Sequence, residues 1–192
     1  MKRCAVVLWA CLSAQFCWAD WALDSAASSV QFISVKNATV TEVHHFTQLQ
    51  GSLDAAGQAQ LQIDLASVET GIPIRNERMQ KMLFNTAKFA TAEVTAQVDV
   101  AGLKLRPGEY RDLPLTLSVS LHGISKSLPV TCRVTGLSDG GLSVINRSPV
   151  LISAADFGLQ AGVQALQAVA KLNSIAAQVP VNVMLVFRPM TQ

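Results

Sequence analysis

The sequence predicts an all-β protein: an antiparallel barrel of about eight strands with two short helical segments. Three observations lead to this prediction. Most of the chain after residue 20 alternates apolar and polar residues with a period of two, which is typical of strands that bury one face. Short turn sequences separate these stretches, which favours antiparallel neighbours. Closing the strands into a barrel removes the exposed edges of an open sheet.

The alternation is clearest over residues 58–65, where every even position is polar and every odd position is apolar. It recurs over 93–100 and 113–122, and in shorter form over 130–134 and 181–187. Residues 29–36 and 39–46 are also predicted as strands, and 142–153 as a weaker one. Each strand therefore has one apolar face, which either lines a space inside the barrel, packs against helices or fills the barrel.

Turns and two helical segments interrupt this pattern. The turn residues are Ala56-Gly57, Arg106-Pro107-Gly108, His122-Gly123 and Asp139-Gly140-Gly141. Residues 74–84 and 160–173 instead show helical spacing of their apolar residues. The first helix places Met79, Met82 and Leu83 on one face.

The first 19 residues have the order of parts of a secretory signal peptide. Two basic residues precede an uncharged stretch that is too short to span a membrane comfortably, and small residues at positions 17 and 19 favour cleavage after Ala19. A lipoprotein leader cut before Cys11 is the less favoured alternative. We therefore expect a signal peptide over residues 1–19 and one exported, not membrane-spanning domain over residues 20–192.

Composition limits the classes of function. The 192 residues are only 15% charged, with 15 Lys+Arg against 13 Asp+Glu. The leader contains two of the basic residues, so the remaining chain has 13 charges of each sign and no dense positive surface for nucleic acid. Three of the four cysteines also lie in the leader, which leaves Cys132 without an intramolecular disulfide partner.

The motifs that resemble catalytic or metal sites lack the required context. A G-x-S-x-G match at 136–140 is followed by a predicted strand rather than the helix of a nucleophile elbow, so we interpret it as a hairpin turn. A D-F-G match at 156–158 has no other kinase motif beside it. His44 and His45 are adjacent on a strand and point to opposite faces, so they cannot chelate one ion together. We expect no catalytic residues, no metal and no enzyme activity.

The densest basic cluster lies on the first predicted helix. It comprises Arg75, Arg78 and Lys81, of which Arg75 and Arg78 share a face. These two guanidinium groups are candidates for contacts with an anionic headgroup. The alternative is a solvated helix face, which the sequence alone favours because Glu77 neutralises part of the charge.

Four ordered motifs resemble the YceI-like family of exported polyisoprenoid-binding proteins, over nearly the whole chain after the leader. They are Trp21-Ala22-Leu23-Asp24 with Ser28-Ser29-Val30-Gln31-Phe32; Ser67-Val68-Glu69-Thr70-Gly71 with Arg75 and Arg78, through to Phe84-Asn85; Leu115-Thr116-Leu117 with His122-Gly123-Ile124-Ser125-Lys126; and Asp156-Phe157-Gly158-Leu159. Two departures concern the headgroup contacts: Ser153-Ala154-Ala155 replaces a basic residue usual in the family, and Asn76 stands where the family often has Asp.

The resemblance implies an extended lipocalin-like barrel whose tunnel encloses a long amphiphile, such as a polyisoprenoid, an isoprenoid quinone, a polyprenyl phosphate or a fatty-acid derivative. It implies a periplasmic carrier or sequestering protein with no cofactor beyond this bound lipid or quinone, and a homodimer is one of its expected states. The predicted tail contacts are Phe32, Leu61, Ile63, Met79, Met82, Phe84, Phe89, Leu117, Val119 and Phe157. The predicted headgroup contacts are Arg75, Arg78 and Lys81.

A second hypothesis is a filled barrel that serves as an interaction or stress-response module, beside a membrane protein that handles quinones. It predicts no continuous tunnel and an exposed apolar patch instead. The two hypotheses differ in whether the interior is hollow.

Overall fold

The computed structural model describes residues 19–190, so the predicted leader lies outside the described residues as far as residue 18. The elements are β1 (Ala19–Leu23), β2 (Ser29–Lys36), β3 (Val40–Phe46), β4 (Leu49–Asp54), β5 (Gln58–Asp64), β6 (Val68–Glu69), α1 (Pro73–Arg78), a π-helix (Met79–Phe84), β7 (Thr91–Gln97), β8 (Tyr110–Leu121), β9 (Ile124–Gly136), β10 (Leu142–Asn146), β11 (Val150–Ser153), α2 (Gln160–Val169) and β12 (Gln178–Pro189). Short 3-10 turns cover Ser25–Ala27 and Leu65–Ser67.

Eight antiparallel strands close into a barrel in the order β1-β4-β5-β7-β8-β9-β10-β12, and β12 pairs with β1 to complete the ring. This confirms the predicted all-β barrel. β12 is the closing strand because successive parts of it have different neighbours: it pairs with β11 and β2 in its first half and with β10 and β1 in its second half. β2, β3, β6 and β11 extend the sheet beyond the ring.

The strands predicted from alternation are all present and the barrel has the predicted eight strands, although residues 19–190 form twelve strands in all. Two barrel strands without a strong alternating pattern were missed, β1 and β4. In β4, Gly51 interrupts the pattern, and a Cβ there would lie 2.7 Å from the carbonyl oxygen of Gln60 on β5. The weak prediction over 142–153 is two strands, because β10 and β11 pair with different parts of β12.

Both predicted helices are confirmed, with changes in length and type. The first is α-helical over α1 and continues as the π-helix, ending at Asn85 in a left-handed backbone conformation. The second, α2, ends four residues earlier than predicted. α2 packs closely on the π-helix at Gly162, where a Cβ would lie 2.7 Å from the carbonyl oxygen of Met82.

The apolar faces of the alternating strands point into the barrel. They form the main core, and a smaller cluster around Val119, Ala154, Phe157 and Leu159 packs beside it. Phe157, from the D-F-G match, is at 1% exposure the most buried aromatic ring among residues 19–190, and Gly158 beside it has a positive φ. The G-x-S-x-G match forms the turn between β9 and β10, as predicted.

Candidate functional site

A cavity of about 280 Å³ lies inside the barrel. This volume is close to the lower end of the usual range for small-molecule sites, about 300–1,000 Å³. The wall is built from the inward positions that the alternation predicts. They include Ala59, Leu61 and Ile63 of β5, Val94 and Ala96 of β7, Leu115, Leu117, Val119 and Leu121 of β8, Val130, Cys132 and Val134 of β9, and Val181, Val183, Leu185 and Phe187 of β12.

The interior is hollow because several inward side chains are too short to reach the barrel axis. Ala59 and Ala96 are direct cross-strand neighbours on β5 and β7, and Ala92 lines the same wall two pleats away. Methyl groups at opposed positions leave space that valine or leucine would fill. The apolar positions thus make a wall and leave a space along the axis.

The two ends of the cavity are built differently. At one end, which we call the turn end, the wall includes Leu53, Val98, Leu103 and Leu142, which lie close to strand-connecting loops. At the other, the helical end, it includes Leu83 and Phe84 of the π-helix together with Leu159 and Val163 at the start of α2. The close contact of α2 with the π-helix at Gly162 therefore shapes the helical end.

The wall offers few polar groups to a ligand. Asn146 is a polar residue of the wall, and its side chain is already used by backbone groups: its Nδ2 donates to the carbonyl oxygen of Val181 at 3.0 Å, and its Oδ1 accepts from the N–H of Val183 at 2.8 Å. Cys132 contributes a buried thiol whose pKa is raised by burial. Such a wall suits a hydrocarbon chain, because it is mostly apolar and the amide of Asn146 is already paired within the protein.

The structure places six of the ten predicted tail contacts in the cavity wall. These are Phe32, Leu61, Ile63, Phe84, Leu117 and Val119. Four others lie elsewhere: Met79 is buried in the main core, Met82 is 37% exposed, Phe89 packs on the ring of His122 at 4.3 Å between centroids, and Phe157 lies in the smaller core cluster. Contact with a ligand stays a prediction for all ten.

The three predicted headgroup residues do not share one environment. Arg75 donates through Nη1 to Glu42 on β3 at 2.8 Å and through Nη2 to the carbonyl oxygen of Thr70 at 2.5 Å. Lys81 is largely exposed and forms an ion pair with Glu77, as the helical spacing suggested. Arg78 is partly buried on α1. Headgroup binding by these residues stays a prediction.

A group of polar residues beside the cavity was not predicted as a site. Ser34 and Lys36 of β2 and Glu42 and His44 of β3 lie on one face of this hairpin, and Arg75 packs against them. The hydrogen bonds from Lys36 and Arg75 lower the pKa of Glu42 despite its burial. Burial, assisted by the nearby positive charge of Arg75, lowers the pKa of His44. From the sequence, His44 was considered only as a metal ligand, although it shares the parity of Phe46 on β3, which was a signal that the two side chains point to the same side.

Several wall residues on β9, β10 and β12 were also missed as candidates. Parity already indicated most of them, because they alternate with outward polar residues. Phe46 was missed although it has the same parity on β3 as His44. Ala176 and Ala177 lie in the segment before β12, and no periodic signal marks them.

Comparison with known proteins agrees with the architecture. The model of the YceI-like domain matches residues 21–187. A polyisoprenoid binding domain from Saccharophagus degradans, implicated in plant cell wall breakdown, is 40% identical with a TM-score of 0.88, over 90% of this chain and 100% of that one. BcnA from Burkholderia cenocepacia has the same fold at 20% identity and a TM-score of 0.65, over 85% of this chain and 98% of that one.

The YceI protein of Campylobacter jejuni is also similar in fold, with 16% identity and a TM-score of 0.55, over 78% of this chain and 85% of that one. A comparison with curated proteins found no match. Among the described residues, no helix has the length and hydropathy needed to cross a membrane. The family model covers most of the chain and the match to the Saccharophagus degradans domain spans nearly all of it, so the chain belongs to the YceI-like family.

Proposed function

We propose that this protein is a carrier or sequestering protein that encloses the hydrocarbon tail of a long-chain isoprenoid lipid in its barrel and performs no covalent chemistry on it. The observation that carries the proposal is the apolar cavity of about 280 Å³, whose wall runs from the turn end of the barrel to the helical end. The 40% identical polyisoprenoid binding domain supports the choice of an isoprenoid among long apolar ligands. The cavity argues against the filled barrel of the alternative hypothesis.

The energetics favour a tail as the main source of affinity. Burying about 400 Å² of hydrocarbon contributes on the order of 10 kcal/mol at about 25 cal/mol per Å², before the costs of association and ordering. Hydrogen bonds to a headgroup each add about 1 kcal/mol. The tail therefore determines whether a lipid binds, and the headgroup determines which lipid and in which orientation.

We place the protein in the periplasm as part of this proposal. The support is the sequence of the first 19 residues, with its basic start, apolar stretch and small residues before the cleavage position. A long isoprenoid is insoluble in water, so a carrier that encloses its tail suits an aqueous compartment between membranes. Fractionation of cells that express the full chain tests the location, and recovery in the cytoplasm would contradict it.

Native mass spectrometry of the purified protein tests the carrier function directly. We expect an adduct with the mass of an isoprenoid lipid, its release on organic extraction, and re-uptake of an added isoprenoid quinone or polyprenyl phosphate. Protein that is recovered without lipid and takes up neither probe would refute the proposal.

A further inference from the structure

The β2–β3 hairpin changes from apolar to polar along one face. Paired residues on this face are Val30 with Phe46, Phe32 with His44, and Ser34 with Glu42. Val30, Phe32 and Phe46 line the cavity. His44 lies one pleat beyond Phe46 on the same side of the strand, a step of about 7 Å, and its ring centroid is 5.2 Å from that of Phe32. The apolar wall thus adjoins a polar patch.

This patch contains two buried nitrogen atoms without a hydrogen-bond partner. His44 is 3% exposed; its Nε2 is 2.9 Å from the hydroxyl oxygen of Ser34, and its Nδ1 has no partner in residues 19–190. The Nε of Arg75 is likewise buried without a hydrogen-bond partner, although both terminal nitrogens of this guanidinium donate hydrogen bonds. These two are the only such side-chain atoms in the described part of the chain. Buried polar groups are almost always paired, so the two atoms indicate a partner from outside the chain.

The charges of the patch do not suit a phosphate. Glu42 accepts from both Lys36 and Arg75 at 2.8 Å, so its carboxylate lies where an anionic headgroup would approach these cations. Arginine holds phosphate through pairs of N–H groups, and each terminal nitrogen of Arg75 already donates one N–H within the protein, to Glu42 and to the carbonyl oxygen of Thr70. The lowered pKa of His44 keeps its ring neutral near pH 7, which removes a further positive charge.

We propose that His44 Nδ1 and Arg75 Nε bind a neutral oxygen of the lipid headgroup, a carbonyl or a hydroxyl, and that this site selects neutral headgroups over phosphates. When Nδ1 carries the proton, both nitrogens donate to a carbonyl oxygen. In the other tautomer, Nδ1 accepts from a hydroxyl whose oxygen accepts from Arg75. This inference rests on the proposed function, because the tail attached to that oxygen occupies the barrel.

Four probes that each have a tail of four isoprene units test the inference: menaquinone with a geranylgeranyl side chain, geranylgeraniol, geranylgeranyl phosphate and the hydrocarbon phytene. Their dissociation constants are measured by displacement of a fluorescent fatty acid from the full chain and from the variants His44→Leu and Arg75→Lys. The lysine retains the charge opposite Glu42 but removes the Nε donor. The matched controls are His45→Leu, whose exposed side chain lies on the opposite face of β3, and Arg147→Lys, whose side chain pairs with Asp112 outside this patch.

We expect one neutral-headed probe, the quinone or the alcohol, to bind at least about tenfold tighter than the phosphate. Each site variant should weaken that probe about five- to tenfold, the worth of one hydrogen bond, and leave phytene unchanged. The probe that responds identifies the oxygen as carbonyl or hydroxyl. The control variants should match the wild type.

Two results would overturn this inference while leaving the carrier function intact: tightest binding of the phosphate, or binding of all probes with no specific response to either variant. A single water molecule held by the two nitrogens gives the second result. Absence of binding by every probe, including phytene, would overturn the carrier function as well. Arg75→Lys provides the test on its own if the leucine at position 44 prevents folding.

Discussion

Blocking the turn end of the cavity with Ala96→Trp should separate a hollow barrel from a filled one. Ala96 lies in the cavity wall beside its cross-strand partner Ala59. Val98, two residues further along the chain, lines the turn end. The polar patch lies near the helical end of the cavity. The part of β2 before it pairs with the start of β12. A tail whose headgroup is held there extends toward Ala96, so the tryptophan should shorten the space for the tail.

The expected loss of affinity follows from the number of excluded carbons. An indole ring is larger than one isoprene unit, so the variant excludes at least one unit from the cavity. At about 0.8 kcal/mol per buried methylene, a unit of about five carbons contributes about 4 kcal/mol, roughly a thousandfold in Kd. A probe with a single geranyl unit does not reach Ala96 and should bind as before.

The assay measures the affinity of each variant for the geranyl and geranylgeranyl probes and, in the same samples, its free energy of unfolding in urea. In a hollow barrel the indole fills empty space, so the free energy of unfolding should stay the same or rise. In a filled barrel it overpacks the core, which costs about 1–3 kcal/mol. Gln58→Trp is the matched control, because Gln58 is exposed on the outer face of β5 next to Ala59. A destabilised variant with unchanged affinity for the long probe would refute the reasoning.

Three further changes test other parts of the structure. Asn146→Leu should lower the free energy of unfolding by about 3 kcal/mol in urea titrations, because two backbone groups of β12 lose their partner; an unchanged value would contradict the role of this side chain. Lowering the pH below about 6.5 should reduce the free energy of unfolding, because His44 takes up a proton in the unfolded chain but not when buried in the folded protein. The slope of this free energy against pH should be smaller in His44→Leu. Equal slopes in the two proteins would exclude His44 as the cause. Gly162→Ala should separate α2 from the π-helix, lower the free energy of unfolding by about 1–3 kcal/mol and speed ligand release in stopped-flow displacement. Wild-type values of both quantities would show that the two helices accommodate the methyl group without loss of stability.

The barrel strands could be predicted because alternation is a local property of the sequence. In each of the segments 58–65, 93–100 and 113–122, the alternation alone shows which face of the strand is apolar, and in the structure these apolar faces point inward. β1 and β4 have weaker local evidence, since their position depends on pairing with each other and with β5 and β12. Such pairing is a relation between distant segments and has no local signal.

The same distinction separates the predicted tail contacts that line the cavity from those that do not. Phe32, Leu117 and Val119 lie on strands, where parity determines the side to which each residue points. Met79 and Met82 lie on the π-helix, and helical spacing identifies an apolar face without showing what it packs against. Phe89 and Phe157 lie in loops, where no period applies. Helix and loop positions thus need the tertiary structure.

Whether the barrel is hollow depends on register, which explains why the sequence left this question open. An eight-stranded barrel is just wide enough for its own side chains to fill it or for one small ligand to fit. Ala59 and Ala96 are 37 residues apart, and only the pairing of β5 with β7 makes them direct neighbours. Had the register placed each alanine opposite a leucine, the larger side chain would have filled the gap with the same composition and the same alternation. The space for a lipid therefore depends on where the small residues meet across strands, and a tryptophan at one of them is the direct test of that dependence.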